Sequence, residues 1–310
     1  MKKRIVNCFY NNCHGGIGDF LRGSIYLYKF CKQRNLDFSI SFKHHDISKF
    51  IKTKKEPEFK ENEIIDIYKK SSESFINQLG SFKNFCKSMK SKIEELIFEV
   101  NNNIYLFLYT NYSDLFLLEE KDIIPSINHT EGLTKDCQKW FKENIVFSNE
   151  INQSANKELF DLNLEVKNFN ILHFRLGDQN SFLGLKYSSR QVDFFSMFEI
   201  CNAALKKDLK PILLLSDNNK LKKYITKKAK EQDLPIFSTH FNSQHSQKKP
   251  STTTEKEVPT SEQGNFNLAL DMKLITMSNK VDSYSVYFWG SGFITWISKI
   301  YNIPFKSSAI

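Results

Sequence analysis

Apolar runs alternate with amphipathic stretches in the second half of the chain, and this alternation constrains the fold most strongly. Short apolar runs predict buried strands, and apolar residues spaced three to four apart predict helices. The predicted strands are 169–175, 211–215, 235–238 and 281–288, and the predicted helices are 190–206, 219–232, 265–278 and 291–301. Residues 242–264, which are polar and contain Pro250 and Pro259, predict a disordered surface loop. Because alternating strands and helices form parallel sheets covered by helices, we expect an α/β fold.

The first half of the chain shows the same pattern less regularly. The predicted strands are 4–10, 37–43 and 104–109, and the predicted helices are 19–33, 50–103 and 134–147. The polar stretch 148–157 predicts an interdomain linker. We therefore expect two Rossmann-like domains, 1–155 and 156–310, with parallel sheets that face a cleft. The first would carry a glycine-rich loop, and the second would bind a nucleotide.

Glycine is concentrated in three stretches that follow predicted strands or open predicted helices. These are "CHGGIGDFLRG" at 13–23, "HFRLGD" at 173–178 and "FWGSGF" at 288–293, and they hold seven of the 11 glycines. Glycine permits positive φ angles and a close approach of the backbone to a ligand. In parallel α/β sheets, ligands bind beyond the carboxyl ends of the strands. The three stretches are therefore the candidate binding loops, although glycines also mark ordinary turns.

Arginine is scarce in this chain: only five of the 44 basic residues are arginine. A chain that otherwise uses lysine is expected to keep arginine where its planar fork binds phosphate. Arg175 follows a predicted buried strand and is the strongest candidate, whereas Arg22 on the first helix fits a ligand or a surface role equally well. His173 lies two positions before Arg175, so both side chains point to the same side of the strand. A core histidine is the alternative for His173.

Other polar residues lie at the same predicted edge. Asp178 would orient Arg175 or cap a turn. Ser216 and Asp217 in "LLLSDNN" would hold a ribose or base, or would cap the helix that follows. Ser291 and Gly292 open a helix whose first amides favour an anion, and capping is again the alternative.

Several classes of protein are excluded by the pattern. Counted from Gly16 and Gly18, the third glycine of a dinucleotide loop is replaced by Leu21, and no Lys-Ser/Thr pair marks a P-loop. The six cysteines have no CxxC spacing and predict reduced thiols. The cluster His44-His45-Asp46 is interpreted as an exposed loop rather than as a metal site. The formal net charge of +9 suits a phosphate-bearing ligand, but no compact basic block indicates nucleic acid.

Four motifs together resemble the α1,2- and α1,6-fucosyltransferases and the protein O-fucosyltransferases. "HFRLGD" resembles the family's His-x-Arg-x-Gly/Thr-Asp motif, and "GGIGDFL" is similar to its N-terminal glycine loop. "LLLSDNN" resembles the strand that ends in Ser/Thr-Asp-Asp. The stretch 271–300 resembles the last motif, an Asp-led helix, a short strand and a Ser-rich turn. The motifs occur in family order between residues 15 and 300, whereas 40–160 shows no resemblance.

The resemblance implies a GT-B fold, GDP-fucose as donor, inversion at the anomeric carbon and neither a cofactor nor a required metal. It implies that Arg175 binds the β-phosphate and that the glycines of the first loop, Gly16 and Gly18, let the backbone approach the diphosphate. Asp19 and Asp178 are the two candidates for the catalytic base, and Arg22 would face the reaction. The nucleotide would be held by His173, Asp217 and the turn Ser291, Gly292 and Phe293.

Two departures from the family pattern keep other donors open. Leu176 stands where many members have a second arginine, and Gly292 stands where a second serine is common. Another nucleotide sugar, or a non-catalytic nucleotide- or glycan-binding protein, is therefore the alternative. The apolar run at 5–10 is too short for a signal peptide, so we expect a cytoplasmic enzyme of bacterial or viral type without a membrane span. Its partners would be a nucleotide sugar and a glycan acceptor.

Overall fold

The computed structural model describes residues 4–9, 16–33, 35–57, 105–107, 133–176, 193–241, 261–286 and 290–310. Contacts divide the chain into two compact units, Met1–Val146 and Phe147–Ile310. Among the helices of the described ranges, none is both long and apolar enough to span a bilayer.

The second unit is built on a parallel sheet of five strands. Its strands are β6 (Asn170–Arg175), β7 (Ile212–Ser216), β8 (Ile236–Ser238), β9 (Lys280–Ser285) and β10 (Phe305–Ala309). The order across the sheet is β10-β9-β6-β7-β8, and each neighbouring pair is parallel. Its helices are α3 (Asn149–Asp161), α4 (Phe194–Asp208), α5 (Asn219–Glu231), α6 (Ser261–Met277) and α7 (Gly292–Tyr301). The predicted α/β fold with a parallel sheet is thereby confirmed.

One core of the second unit lies between the central strands and two helices. Leu172 and Phe174 of β6 and Leu214 of β7 pack with apolar residues of α4 and α5, among them Phe198 and Ile225. Since side chains alternate along a strand, the residues between them point to the opposite face, where Ile171 and Leu213 are equally buried. A strand buried on both faces needs mostly apolar residues, which is why β6 (NILHFR) and β7 (ILLLS) could be predicted from sequence.

The first unit holds a smaller parallel sheet. Its described elements are β1 (Arg4–Cys8), α1 (Ile17–Gln33), β2 (Asp37–Ser41), β3 (Ile51–Thr53), β4 (Tyr105–Phe107), α2 (Lys135–Asn144) and β5 (Ile145–Phe147). Parallel strands are ordered β2-β1-β4, and β3 and β5 form a separate two-stranded sheet. The rings of Phe9, Phe20 and Phe42 pack together in its core, with centroids 5.1–6.4 Å apart.

The predicted linker at 148–157 is wrong, because these residues lie almost entirely in α3. Ser148 caps this helix by accepting the N–H of Ile151 at 3.3 Å. Ile151, Ala155 and Leu159 are buried at a spacing of four residues. The many Asn, Ser and Lys residues of the stretch cover the other faces and hide this apolar stripe from a reading of polarity alone.

Three smaller predictions also need correction. Residues 51–53 of the predicted helix 50–103 form strand β3, and 58–103 lie outside the described residues. The helix predicted at 134–147 ends at Asn144 and continues as β5. Helix α6 begins at Ser261 and includes the last part of the predicted loop 242–264, whose remainder, 242–260, is also not described. Strand β10 was not predicted, because its polar sequence FKSSA lacks the apolar signal of a buried strand.

Candidate functional site

The carboxyl edge of the five-stranded sheet carries several of the predicted site residues. In the parallel register, Arg175 at the end of β6 pairs with Ser285 of β9, and Phe174 pairs with Ser216 of β7. The ladder extends beyond the strands, because the N–H of Val286 donates to the carbonyl of Arg175 at 3.1 Å. The edge therefore presents Arg175 between the turns that follow two neighbouring strands.

Asp217 is the residue that the structure places against Arg175. The Nη1 group of Arg175 donates to Asp217 Oδ2, and the backbone N–H of Leu176 donates to Asp217 Oδ1 at 2.9 Å. The side chains are only 18% and 15% exposed, so the ion pair is largely shielded from water. Asp217 fixes the position of the guanidinium at the sheet edge. Asp178 and Gly177 lie outside the described residues, and a role for Asp178 stays a prediction.

Ser216 and Asn218 build the turn that carries Asp217. The Ser216 hydroxyl donates to the carbonyl of Phe174 at 2.8 Å and accepts the N–H of Asn218 at 3.1 Å. Asn218 is the N-cap of α5, because its side chain accepts the N–H of Leu221 at 3.0 Å. Helix capping therefore belongs to Asn218, and binding of a ribose or base by Ser216 or Asp217 stays a prediction.

His173 is buried beneath this edge and contacts Ser283 of β9. Its Nδ1 lies 3.0 Å from the Ser283 hydroxyl, and the residue is 6% exposed. Burial lowers the pKa of His173 to about 4, with Arg175 lowering it further and Asp217 opposing the shift. The imidazole is therefore neutral at pH 7. Because the His173 ring is neutral, it adds no positive charge beside the Arg175–Asp217 pair. Of these three side chains, only the Arg175 guanidinium is positively charged.

The turn before α7 follows the neighbouring strand β9. Ser291 is buried and occupies the N-cap, but its side chain makes no capping hydrogen bond. Its carbonyl accepts from the N–H of Thr295 at 3.0 Å and from the Thr295 hydroxyl at 2.8 Å. Gly292 is the first helical residue and Phe293 the second, and Phe293 is half-buried. The first amides of a helix have no intrahelical acceptor, and they carry partial positive charge.

Gly290 is required at its position for two independent reasons. Its φ angle is +76°, in the region that side chains disfavour, and a Cβ atom there would lie 2.8 Å from Ser307 Oγ of β10. A side chain at position 290 would therefore require Ser307 of β10 to move.

The predicted residues of the glycine loop lie in the first unit. Gly16 precedes α1 and Gly18 lies inside its first turn, so the helix begins two residues earlier than expected. The side chain of Asp19 turns back, and its Oδ2 accepts the Gly16 N–H at 3.2 Å, as in a capping box. Arg22 lies one turn later with its guanidinium carbon 6.0 Å from the Tyr26 ring centroid. Gly15 is outside the described residues.

The prediction that His44-His45-Asp46 form an exposed loop is wrong for the central residue, His45. His45 is 3% exposed, and its ring stacks on Phe9 with centroids 4.1 Å apart. Its Nδ1 accepts the N–H of Ile47 at 3.0 Å, which caps a short 3₁₀ turn. Burial lowers the pKa of His45 to about 4, against the opposing effect of Asp46. Within the described residues, no group of three or more His, Cys, Asp or Glu side chains could hold a metal ion.

Sequence reasoning missed several buried polar residues near the sheet edge, among them Ser283 and Lys222. Val281, Ser283 and Ser285 share the buried face of β9. Ser283 was missed because two of these three buried residues are serines, so polarity does not mark the buried face of this strand. Lys222 is 4% exposed, and its ammonium group donates to Thr239 Oγ1 at 2.8 Å and to the carbonyl of Phe241 at 2.7 Å. The burial of Lys222 could have been predicted from helical spacing, because Lys222 stands three residues before Ile225 on the buried face of α5.

Comparison with known proteins identifies the fold. The sequence matches no protein-family model and no curated protein. Among solved structures, a variant of Arabidopsis thaliana FUT1 in complex with GDP aligns with a TM-score of 0.56 and 9% identity, over 100% of this chain and 70% of that one. NodZ α-1,6-fucosyltransferase soaked with GDP-fucose aligns with a TM-score of 0.50 and 10% identity, over 97% and 93% of the two chains. Fucosyltransferase NodZ from Bradyrhizobium aligns with a TM-score of 0.50 and 11% identity, over 96% of this chain and 92% of that one.

The chain therefore shares the α/β fold of these solved fucosyltransferase structures. The resemblance that the four motifs indicate is confirmed at the level of the fold.

Proposed function

We propose that this chain is an inverting glycosyltransferase that moves fucose from GDP-fucose to a hydroxyl group of a glycan, without a required metal ion. The observation that carries the proposal is the position of Arg175. It ends the central strand of the second sheet, is held by Asp217, and lies beside the strand that leads to the amino end of α7. Solved structures with this fold that contain GDP or GDP-fucose support the choice of donor.

The charges at this edge suit the departure of a nucleoside diphosphate. As the bond between the anomeric carbon and the phosphate oxygen breaks, negative charge grows on GDP and positive charge grows on the sugar. A fixed guanidinium at Arg175 would stabilise that negative charge, and the first amides of α7, near Ser291 and Gly292, would add to it. Asp217 keeps Arg175 in place before the donor binds, so little reorganisation is needed during the reaction.

A carboxylate must accept the proton of the attacking hydroxyl group. Asp19 and Asp178 are the candidates, and the variants Asp19→Asn and Asp178→Asn choose between them. Asparagine at position 19 keeps an oxygen that can accept the Gly16 N–H, so the start of α1 is expected to survive. Loss of transfer with retained GDP binding identifies the base. A role for Asp19 is contradicted if Asp19→Asn transfers fucose at the rate of the natural chain.

The principal test is the variant Arg175→Ala assayed with GDP-fucose and a panel of glycan acceptors. We expect release of GDP to fall at least 100-fold, because removal of one charged group that stabilises a transition state costs about 3 kcal/mol. Lys206→Ala is the matched control, since it removes one positive charge from the exposed surface of α4. Full activity of Arg175→Ala would exclude the proposed site.

The donor itself is tested by thermal stabilisation with GDP, UDP and ADP and their sugars. We expect stabilisation by GDP and GDP-fucose, and we expect it to weaken in Arg175→Ala. Stabilisation by UDP sugars alone would retain the transferase class and replace the donor. Stabilisation by GDP-fucose without turnover on any acceptor would favour a binding protein. The cleft between two domains that the resemblance implies stays a prediction.

A further inference from the structure

Ser283 lies beside His173 in the sheet of the second unit. The two residues are paired in the register of β6 and β9, so their side chains project to the same face of the sheet. Ser283 is 1% exposed, and its hydroxyl oxygen lies 3.0 Å from His173 Nδ1. Within the described part of the chain, the Ser283 side chain makes no other hydrogen bond. The orientation of the serine hydroxyl therefore depends on His173 alone.

This contact determines which ring nitrogen of His173 carries the proton. Because burial lowers the pKa of His173 to about 4, the ring holds a single N–H group at pH 7. A proton on Nδ1 would be donated to Ser283 Oγ, and the hydrogen of the serine hydroxyl would then be buried without an acceptor. When the hydroxyl donates to Nδ1 instead, its hydrogen is paired and the ring proton lies on Nε2. The second arrangement is favoured because it pairs the buried hydroxyl.

The other ring nitrogen, Nε2, remains for a ligand. It makes no hydrogen bond among the described residues, and unlike the unpaired Nε2 of His45 it is not fully enclosed. His173 stands two positions before Arg175, so their Cα atoms are about 7 Å apart on the same side of β6. One nucleoside diphosphate can contact two groups at this separation. Arg175 offers it a positive charge, and His173 offers a neutral N–H donor.

We propose that Ser283 is a positioning residue of the donor site: it holds His173 as the Nε2–H tautomer, so that the ring donates a hydrogen bond to an acceptor oxygen of the bound nucleotide. The proposal rests on the proposed function, because that function places a nucleotide sugar at this edge. Ser283 acts only through His173. The acceptor oxygen belongs either to the nucleoside or to the diphosphate, since both carry such oxygens.

Nitrogen NMR of the full chain tests the tautomer without any ligand. His173 is one of seven histidines, and its signals are those lost in His173→Gln. We expect Nε2 to be protonated and Nδ1 to show the chemical shift of an unprotonated nitrogen that accepts a hydrogen bond. Ser283→Ala should move the Nδ1 signal toward the value of a nitrogen without a hydrogen bond, and Ser283→Thr, which keeps the hydroxyl, should not. A proton on Nδ1 of the natural chain would overturn the proposal.

Titration calorimetry with GDP, guanosine and pyrophosphate tests the effect on the donor. We expect Ser283→Ala to weaken GDP binding about three- to tenfold, as for the loss of one well-aligned hydrogen bond, and Ser283→Thr to restore it. Ser308→Ala is the matched control, a half-buried serine of β10 in the same sheet, and should bind GDP unchanged. A loss shared with guanosine assigns the acceptor oxygen to the nucleoside, and a loss shared with pyrophosphate assigns it to the diphosphate. If Ser283→Ala does not fold, Ser283→Cys, whose thiol is a weaker donor, takes its place.

Two variants of His173 show which ring nitrogen the nucleotide requires. His173→Gln carries an amide nitrogen near the position of Nε2, whereas His173→Asn carries one near that of Nδ1. We expect the glutamine variant to keep more of the GDP affinity than the asparagine variant. If the natural chain binds GDP and Ser283→Ala binds it equally well, this proposal alone is overturned. If the natural chain binds neither GDP nor its sugars, the proposed function fails, and the role of Ser283 in binding the donor fails with it.

Discussion

Lys222 shows how a single buried charge fixes the chain beyond β8. Its ammonium group is surrounded by protein and bonds Thr239 and the carbonyl of Phe241. Burial lowers the pKa of Lys222, whereas Asp271 and Glu158 raise it. The negative charges nearby therefore compensate part of the cost of burying the ammonium group.

We expect Lys222→Met to destabilise the chain by about 2–4 kcal/mol, because two acceptors lose their donor and the nearby carboxylates lose their cation. The free energy of unfolding in urea measures this effect. Lys227→Met is the control on the exposed side of the same helix, where a change below about 0.5 kcal/mol is expected. Equal stability of the two variants would show that Lys222 is not a structural cation.

At the scale of single elements, strands and helices with a regular apolar pattern could be predicted from the sequence. Strand β7 is a continuous apolar run before Ser216, and β6 holds three apolar residues interrupted only by His173. Arg175 was identified because arginine is scarce in this chain. Its partner was not found, since Asp217 lies 42 positions away and reaches Arg175 only through the register of β6 and β7. Asp178, the carboxylate nearest to Arg175 in the sequence, lies outside the described residues, and its role stays a prediction. Strand β10 was missed for a related reason, because its pairing with β9, rather than apolar residues, defines it.

The turn between β9 and α7 gives a prediction at this scale. Gly290→Ala should cost about 1–2 kcal/mol for the positive φ angle alone, because a Cβ atom disfavours the left-handed region. The contact at 2.8 Å with Ser307 Oγ adds a second penalty. The double variant Gly290→Ala, Ser307→Ala removes the contact and keeps the φ strain. Urea unfolding should therefore place it between Gly290→Ala and the control Ser307→Ala. A double variant as unstable as Gly290→Ala would show that the contact with Ser307 is relieved without cost.

For the whole molecule, each unit holds a buried histidine that is neutral at pH 7. His45 in the first unit stacks on Phe9, and His173 in the second contacts Ser283. Burial lowers the pKa of each from 6.5 to about 4. Asp46 opposes the shift of His45, and Asp217 opposes that of His173 while Arg175 adds to it. Low pH therefore destabilises both units in the same way, because each unit must protonate a buried histidine or unfold to do so.

The sign of the effect follows from proton binding. Between pH 6.5 and about pH 4 the unfolded chain binds protons at these histidines and the folded chain does not, so stability falls as the pH is lowered through this window. At pH 5 each histidine should contribute a loss of about 2 kcal/mol relative to pH 7.5. Below pH 4 the folded state also binds the protons, and the loss levels off.

Variants separate this effect from the general repulsion of a chain with a net charge of +9. His45→Asn keeps a side-chain acceptor for the Ile47 N–H, and His173→Asn keeps a polar group beside Ser283. Hydrogen exchange at pH 5 and pH 7.5, corrected for the intrinsic exchange rate, measures the opening free energy of each unit. We expect each variant to reduce the pH dependence in its own unit by about 2 kcal/mol and to leave the other unit's dependence unchanged. If neither variant flattens the dependence, the acid sensitivity arises from net charge and the buried histidines do not control it.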